Sequence, residues 1–327
     1  MKSRFVVYIA TIITIASIIF AAFVYVHYTT ASQSKTASQQ SVSLVDDEGY
    51  VTTLTSVPQR IVSLAPSCTQ ICFAIGVGDK VVGVTTYDDY PYNFSAWIAA
   101  GNMTLDGGYG TPNMEAIASL HPDLILTDTI NDAAIPSMRS LGYKVLELNP
   151  TSINGVYQDI SLVGRATGAE TQAIAVVENL TSTINAITTR IADANITTPL
   201  KVFYEIWSNP LMSTGSTTWI NDVISDAGGV NIFADETQQW PTVSTETVVA
   251  LDPDVILLPT NMGVGTPFYG SIAQVEATPG WNTISAVQHN RVYVINEDLF
   301  SEPGPRVADQ VYAVAACLYP QLFNSTS

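Results

Sequence analysis

The chain has 327 residues, 47% of them hydrophobic and 13% charged, a balance that describes folded domains and excludes a disordered chain. All 29 acidic residues lie at or after Asp46, together with nine of the 12 basic ones (Lys2, Arg4 and Lys35 precede it), so the body carries a net charge of about −20. Such a surface repels phosphate backbones, so no nucleic acid is expected as a partner.

Phe5 to Val26 is an apolar run of about 22 residues without a charge, preceded by Lys2 and Arg4, and its length matches the hydrocarbon thickness of a bilayer. Basic residues on the short side predict that this side stays in the cytoplasm and that the rest is exported. The run exceeds the apolar part of most cleaved signals, and only a weak Thr29-Thr30-Ala31 site follows. Residues 1–28 are therefore expected to be an uncleaved transmembrane anchor rather than a signal. Residues 29–45, rich in Ser, Thr, Gln and Ala, read as a solvated linker. A lipid-attachment cysteine is missing just after the run, and Cys68, Cys72 and Cys317 show neither a disulfide framework nor metal-ligand spacing. Asn-x-Ser/Thr triplets begin at Asn93, Asn102, Asn179, Asn195 and Asn324 and are compatible with an exported surface.

From Asp46 a turn and a β-rich segment lead to a buried strand over Ile61 to Ala65. Ser67 with Gln70 reads as a capping box for the next helix, Gly76 and Gly78 end that helix, and Lys80 to Thr85 is the next strand. Then TPNMEAIASLHPDLILT, from Thr111 to Thr127, returns as STETVVALDPDVILLPT from Ser244 to Thr260. In both copies a glutamate (Glu115, Glu246) stands seven residues ahead of a proline (Pro122, Pro253), which places it in the first turn of a helix that the proline ends. The apolar run behind suits a strand covered on both faces, so each copy is an αβ unit and two copies predict two lobes. An acid at a helix start is sufficiently explained by the helix dipole; one acid at the same place in each lobe would equally serve a two-fold partner.

Residues 46–152 thus read as a first α/β lobe whose last strand is Lys144 to Leu148. Ile153 to Asn195 contains no proline and repeats Ile174, Val177, Leu180, Ile184, Ile187 and Ile191 at three or four, which predicts a helical bridge over 153–198 with Gly168 dividing a shorter helix from a long one. Residues 199–327 form the second lobe, through a strand at Lys201 to Ile206, a segment at Trp219 to Ala227, a strand at Arg291 to Ile295 and a C-terminal helix.

RIVSLAPSCTQICFAIGVGDKVVGVTTYDDYP, TPNMEAIASLHPDLIL, EIWSNPLMSTG, QQWPTVSTETVVALDPDVILL and EPGPR occur in this order, and together they resemble the substrate-binding proteins of ABC importers for cobalamin and iron complexes, most closely the cobalamin branch. The likeness covers about Asp46 to Phe323. It implies an α/β fold of two Rossmann-like lobes joined by a single long helix, with the ligand in the cleft between them. It also implies that Glu115 and Glu246 dock to arginines of the permease subunits, and that the chain works at the cell membrane with its binding domain on the extracytoplasmic side.

Aromatic faces suit a large, flat, mostly uncharged ligand such as a corrinoid, since they supply buried area at little entropy cost. By position in the family's motifs, Tyr87, Tyr109 and Trp240 match cleft aromatics, Trp207 and Met212 match the second-lobe wall, and Arg306 lies near the cleft mouth. Each aromatic would also serve as a loop anchor within its own lobe. A ferric siderophore or haem is the alternative ligand; an anionic siderophore would want more than one cation such as Arg306. His27, His121 and His289 belong to no cluster, so no metal site, catalytic triad or cofactor is expected, and a chelatase-like enzyme is disfavoured.

Overall fold

The computed structural model describes residues 20, 22, 41–108, 110–259 and 271–323. The anchor expected over 1–28 falls outside them except for two positions, and no helix among the described residues is long and apolar enough to cross a membrane.

The folded body begins at Val42, where Val42–Val45 pairs antiparallel with Val51–Leu54. Leu44 and Leu54 are buried, and the Thr52 hydroxyl donates to the Val145 carbonyl at 2.7 Å, which ties the hairpin to the first lobe. The strand Val42–Val45 takes the last four residues of the linker expected over 29–45, whose residues 29–40 lie outside the described residues. Val42 and Leu44 face inward and Ser43 and Val45 outward, an alternation too short to stand out from its Ser-rich surroundings.

Two parallel sheets follow. The first has the order Thr104–Leu105, Val81–Val84, Ile61–Ser63, Leu124–Asp128, Val145–Leu148. In chain order this is 3-2-1-4-5, the winding of a Rossmann sheet, with its switch point between Ile61–Ser63 and Leu124–Asp128. The second has the order Gly229–Asn231, Leu200–Tyr204, Val255–Pro259, Val292–Ile295, and it reverses between Leu200–Tyr204 and Val255–Pro259. Leu124–Leu126 and Val255–Leu258 are fully buried, as strands covered on both faces must be. Gly83 admits the helix above it: a Cβ there would meet Leu120 Cδ1 at 2.9 Å and Asp106 Oδ2 at 3.0 Å.

The helix Pro66–Ala74 corrects a sequence expectation. It starts on Pro66, with Ala65 at the N-cap and no side-chain cap. A proline at the first helical position, where its missing N–H costs nothing, moves the start ahead of Ser67. Gln70 is then free to reach the other lobe.

The bridge holds a shorter helix and a long one, divided at Gly168 as the sequence predicts. Ile153–Thr167, capped by Ser152, ends at Gly168 (φ 73°), and Glu170–Asp193 runs on for 24 residues, about 36 Å at 1.5 Å per residue. The pair packs closely, since a Cβ on Gly164 would stand 2.4 Å from that of Ala173. The long helix starts beside Gln70 and Phe73 of the first lobe and ends where Ile191 meets Gly228 and Tyr319 of the second. Leu180, Ile184, Ile187 and Ile191 are buried as their spacing predicts, whereas Ile174 is half exposed and Ala173 takes the core position in that turn.

Candidate functional site

A cavity of about 250 Å³ lies where strands of the two sheets end. Asp128 and Leu148 close the first-lobe side, at the C-terminal ends of Leu124–Asp128 and Val145–Leu148; Tyr204 and Pro259 do so for the second lobe. This is the place at which doubly wound sheets hold ligands, because strand ends diverge there beside a switch point. Ile206, Trp219, Trp240 and Phe300 give the cavity apolar and aromatic walls, and Trp219 meets Trp240 edge to face at 5.7 Å between ring centres. Polar groups come from Thr129, Asn149, Thr218, Gln239 and Ser301, together with the carboxyl groups of Asp128 and Glu297. Glu297 opens the short helix Glu297–Phe300 and is buried.

Of the residues singled out in the sequence, Trp240 lines this cavity. Trp207 and Met212 sit directly opposite one another in the two-stranded hairpin Trp207–Ser208 and Leu211–Met212. The Trp240 segment is pinned beside that hairpin by Ser213 N–H donating to the Pro241 carbonyl at 3.0 Å and Gly215 N–H to the Gln239 carbonyl at 2.8 Å. The three residues thus stand on adjoining segments of the second lobe. Tyr87 is 44% exposed on the loop after Val81–Val84. Its loop is stapled by Asp88, which accepts from Thr85 N–H at 2.8 Å and from the Thr85 hydroxyl at 2.6 Å; burial pushes the Asp88 carboxyl up to about 6. Tyr109 lies outside the described residues.

Arg306 does not line the cavity; it joins the lobes beside a second depression of about 660 Å³ along the long helix. Its guanidinium donates to the Glu302 carboxylate at 2.5 Å, to the Asp298 carbonyl at 2.8 Å and to Gln70 Oε1 at 3.1 Å, and lies 4.2 Å from the centre of the Tyr90 ring. Gln70 donates to the same Glu302 carboxylate, so Gln70 and Tyr90 of the first lobe are clasped by Glu302 and Arg306 of the second. Burial pushes the Glu302 carboxyl up to about 7 against the pull of Arg306.

At the lobe surfaces the two repeat copies are built alike. Asn113 caps Met114–Leu120 by accepting from Glu115 N–H and Ala116 N–H at 3.1 Å each; Ser244 caps Thr245–Leu251 by accepting from Thr247 N–H at 3.1 Å. The helices end on left-handed residues, His121 (φ 45°) and Asp252 (φ 47°), just before their prolines. Arg60 Nε and Lys201 Nζ then take the last helical carbonyls, Leu120 and Leu251, at 2.6 Å each. Asp123 accepts from Gln59 N–H at 2.9 Å and Arg60 N–H at 3.0 Å, and Asp254 accepts from Lys201 N–H at 2.8 Å. Glu115 and Glu246 are exposed, and hydrogen bonds from its own backbone N–H, Ser244 and Thr245 hold the Glu246 carboxyl below its ordinary value.

Trp219, Asp128, Gln239 and Glu297 are cavity residues that the sequence reading did not single out. The signal available for Trp219 was local: Thr218 caps its helix, accepting from Asn221 N–H at 3.2 Å, which puts residue 219 at a helix start that faces the strand ends.

The family description "Periplasmic binding protein" matches residues 61–299. The ABC transporter substrate-binding lipoprotein YvrC of Bacillus subtilis is 34% identical over 86% of this chain and 87% of its own length. The vitamin B12-binding protein of Vibrio cholerae is 29% identical over 80% of this chain and 88% of its own. Among solved structures, the periplasmic heme-binding protein RhuT from Roseiflexus superposes with a TM-score of 0.68 at 25% identity, covering 81% of this chain and 99% of that one. With a family match over most of its length, paired parallel sheets and a cavity at their strand ends, this chain belongs to the periplasmic binding protein family, among the substrate-binding proteins of ABC transport for cobalamin, haem and iron complexes.

Proposed function

We propose that the protein captures cobalamin or a related corrinoid in the interlobe cleft, outside the cell, and delivers it to an ABC permease without chemical change. The observation that carries this reading is the cavity itself: Trp219, Trp240 and Phe300 line it, and no lysine, arginine or histidine does so among the described residues. Aromatic faces without a cation favour a broad, mostly uncharged ring system over an anionic chelate. At about 250 Å³ the cavity is smaller than the roughly 300–1,000 Å³ of pockets that enclose a drug-sized ligand. A macrocycle would therefore enter by one edge and stand partly proud of the lobes, and Tyr87, Trp207 and Met212 are its proposed further contacts.

Glu115 and Glu246, exposed on equivalent helices, are the proposed contacts for arginines of the two permease subunits. One relative is named a lipoprotein, yet this sequence has no cysteine ahead of Cys68. The apolar run from Phe5 to Val26 is accordingly proposed as the membrane anchor.

Calorimetric titration of the detergent-solubilised full chain with cyanocobalamin, haemin and a ferric siderophore tests the ligand. Stoichiometric binding of cyanocobalamin at micromolar concentration or below supports the reading; binding of haemin or the siderophore alone replaces it with the alternative ligand class.

A further inference from the structure

The segment from Asp298 to Arg306 serves two places in the molecule at once. Phe300, Ser301 and Pro303 line the cavity, whereas Glu302, between the last two, is buried in the clasp, where its carboxylate accepts from Arg306 and from Gln70 of the first lobe. The segment is held firmly to its own lobe. Gln310, fully buried in the helix Val307–Leu318, donates to the Leu299 carbonyl at 2.7 Å and to the Glu302 carbonyl at 3.0 Å. On the other side Gln70 belongs to the buried face of the helix Pro66–Ala74 and gives both ends of its amide to the second lobe: Nε2 donates to Glu302, and Oε1 accepts from Arg306 Nε at 3.1 Å. The backbones meet there as well. A Cβ on Gly304 would lie 3.7 Å from the Ser67 carbonyl oxygen and 3.8 Å from Gln70 Oε1.

None of Gln70, Glu302 and Arg306 lines the cavity; what they set is the spacing of its walls. Asp128 and Leu148 are carried by the first lobe and Tyr204 and Trp219 by the second, so the two sides fit one ligand only while the lobes keep their relation. A tie that keeps the free protein in that arrangement strengthens binding, because the apparent affinity scales with the fraction of molecules already competent to bind.

We infer that Gln70 and Glu302 are positioning residues for ligand capture: their cross-lobe hydrogen bond holds the cavity wall at Ser301 and Pro303 in its working place against the first lobe, and affinity depends on that bond although neither residue lines the cavity. The inference rests on the cleft being the ligand site, and it adds which contact outside the cavity sets its geometry.

The test is a cycle of variants read by calorimetric titration of the detergent-solubilised full chain with cyanocobalamin. Gln70→Met and Glu302→Met nearly conserve volume and remove the bond from one side or the other. Each is expected to weaken binding about tenfold, and the double variant no more than about twofold beyond either, because both remove the same tie. Glu302→Gln retains an acceptor for both donors and is expected to stay within about threefold of the wild type. Since Met and Gln differ there in the acceptor and little in volume, a role in packing alone would not give that rescue. A stoichiometry of about one ligand per chain in every variant separates lost affinity from lost fold. Wild-type affinity in either single Met variant, or a double variant weakened by about 100-fold as independent effects require, overturns the inference while leaving the corrinoid reading standing. Should Gln70→Met not fold, Glu302→Met against Glu302→Gln decides, and equal affinity of the two overturns it. If cyanocobalamin does not bind the wild type, the corrinoid reading falls, and haemin and a ferric trihydroxamate take its place in the same cycle. The same pattern then upholds the role of the clasp; additive effects, no effect, or no binding of any probe overturn it.

Discussion

The αβ unit of the first lobe and that of the second share a frame and differ in what stands before it. Both have a side-chain cap, a first-turn glutamate, a left-handed exit, a proline, and an aspartate that grips the backbone of a basic residue, whose own side chain returns to the end of the helix. These bonds fix the angle between helix and sheet, and therefore the place of each glutamate on its lobe. In front of the first copy Gly107–Gly108 pairs antiparallel with Thr111–Pro112, next in the chain to the buried Asp106; Gly107 (φ 135°) could not carry a side chain, since a Cβ would fall 2.4 Å from the Thr111 carbonyl. In front of the second copy lies the cleft wall, with Trp240 and the Met212–Thr242 bridge. What the two units share carries two exposed glutamates, and of what they do not share Trp240 lines the cavity. A two-fold partner and a ligand without that symmetry would impose this division.

The largest expected effect breaks the comparison from outside. Replacing both glutamates, as Glu115→Arg with Glu246→Arg, should reduce uptake by at least about 100-fold while ligand affinity stays within about twofold, because charge reversal at the two proposed docking contacts would oppose docking and leave the cleft untouched. Uptake in whole cells and calorimetry on the purified protein measure the two quantities. Loss of affinity instead would assign these acids to the ligand site.

A second effect is confined to the first copy. Asp106 is fully buried, its carboxyl oxygens have no hydrogen-bond partner among the described residues, and burial, with Asp88 nearby, pushes its value from 3.8 up to about 8. The native state therefore holds this proton more tightly than the unfolded chain does. Its contribution to stability is complete below about pH 4 and is lost as pH rises through about 8. Asp106→Asn should stabilise the protein at pH 8 by on the order of a few kcal/mol and change little at pH 4, read from denaturant midpoints at the two pH values. Equal shifts at both would remove titration as the cause.

The smallest effect sharpens the likeness. Asp123 holds two backbone N–H groups and Asp254 one, so Asp123→Ala should cost about 2 kcal/mol and Asp254→Ala about 1 kcal/mol, given about 1 kcal/mol per hydrogen bond. Equal costs would mean that the second N–H, from Gln59, finds water without penalty.

The repeat was legible in the sequence because its signals are local: cap, proline and apolar run act within a few residues, and the pattern occurs twice. The long helix and its break at Gly168 were legible for the same reason. The start of the helix at Pro66 was not, because Ser67 and Gln70 satisfy the capping-box pattern while the proline ahead of them decides the first turn. The cavity was legible only in Trp240. Asp128, Trp219 and Glu297 come from separate elements of both lobes and meet through the folding of the whole chain, so no spacing announces them. Of the partners of Arg306, Glu302 and Asp298 lie within eight residues, whereas Gln70 and Tyr90 lie more than 200 residues away and no local pattern announces them.

The clasp of Gln70, Glu302, Arg306 and Tyr90 runs beside the long helix, so the lobes are moored along two lines on one flank. A body moored in that way opens like a book with a stitched spine: the free edges part, while sliding and twisting of one cover against the other are resisted. Loading and release would then turn on that one flank.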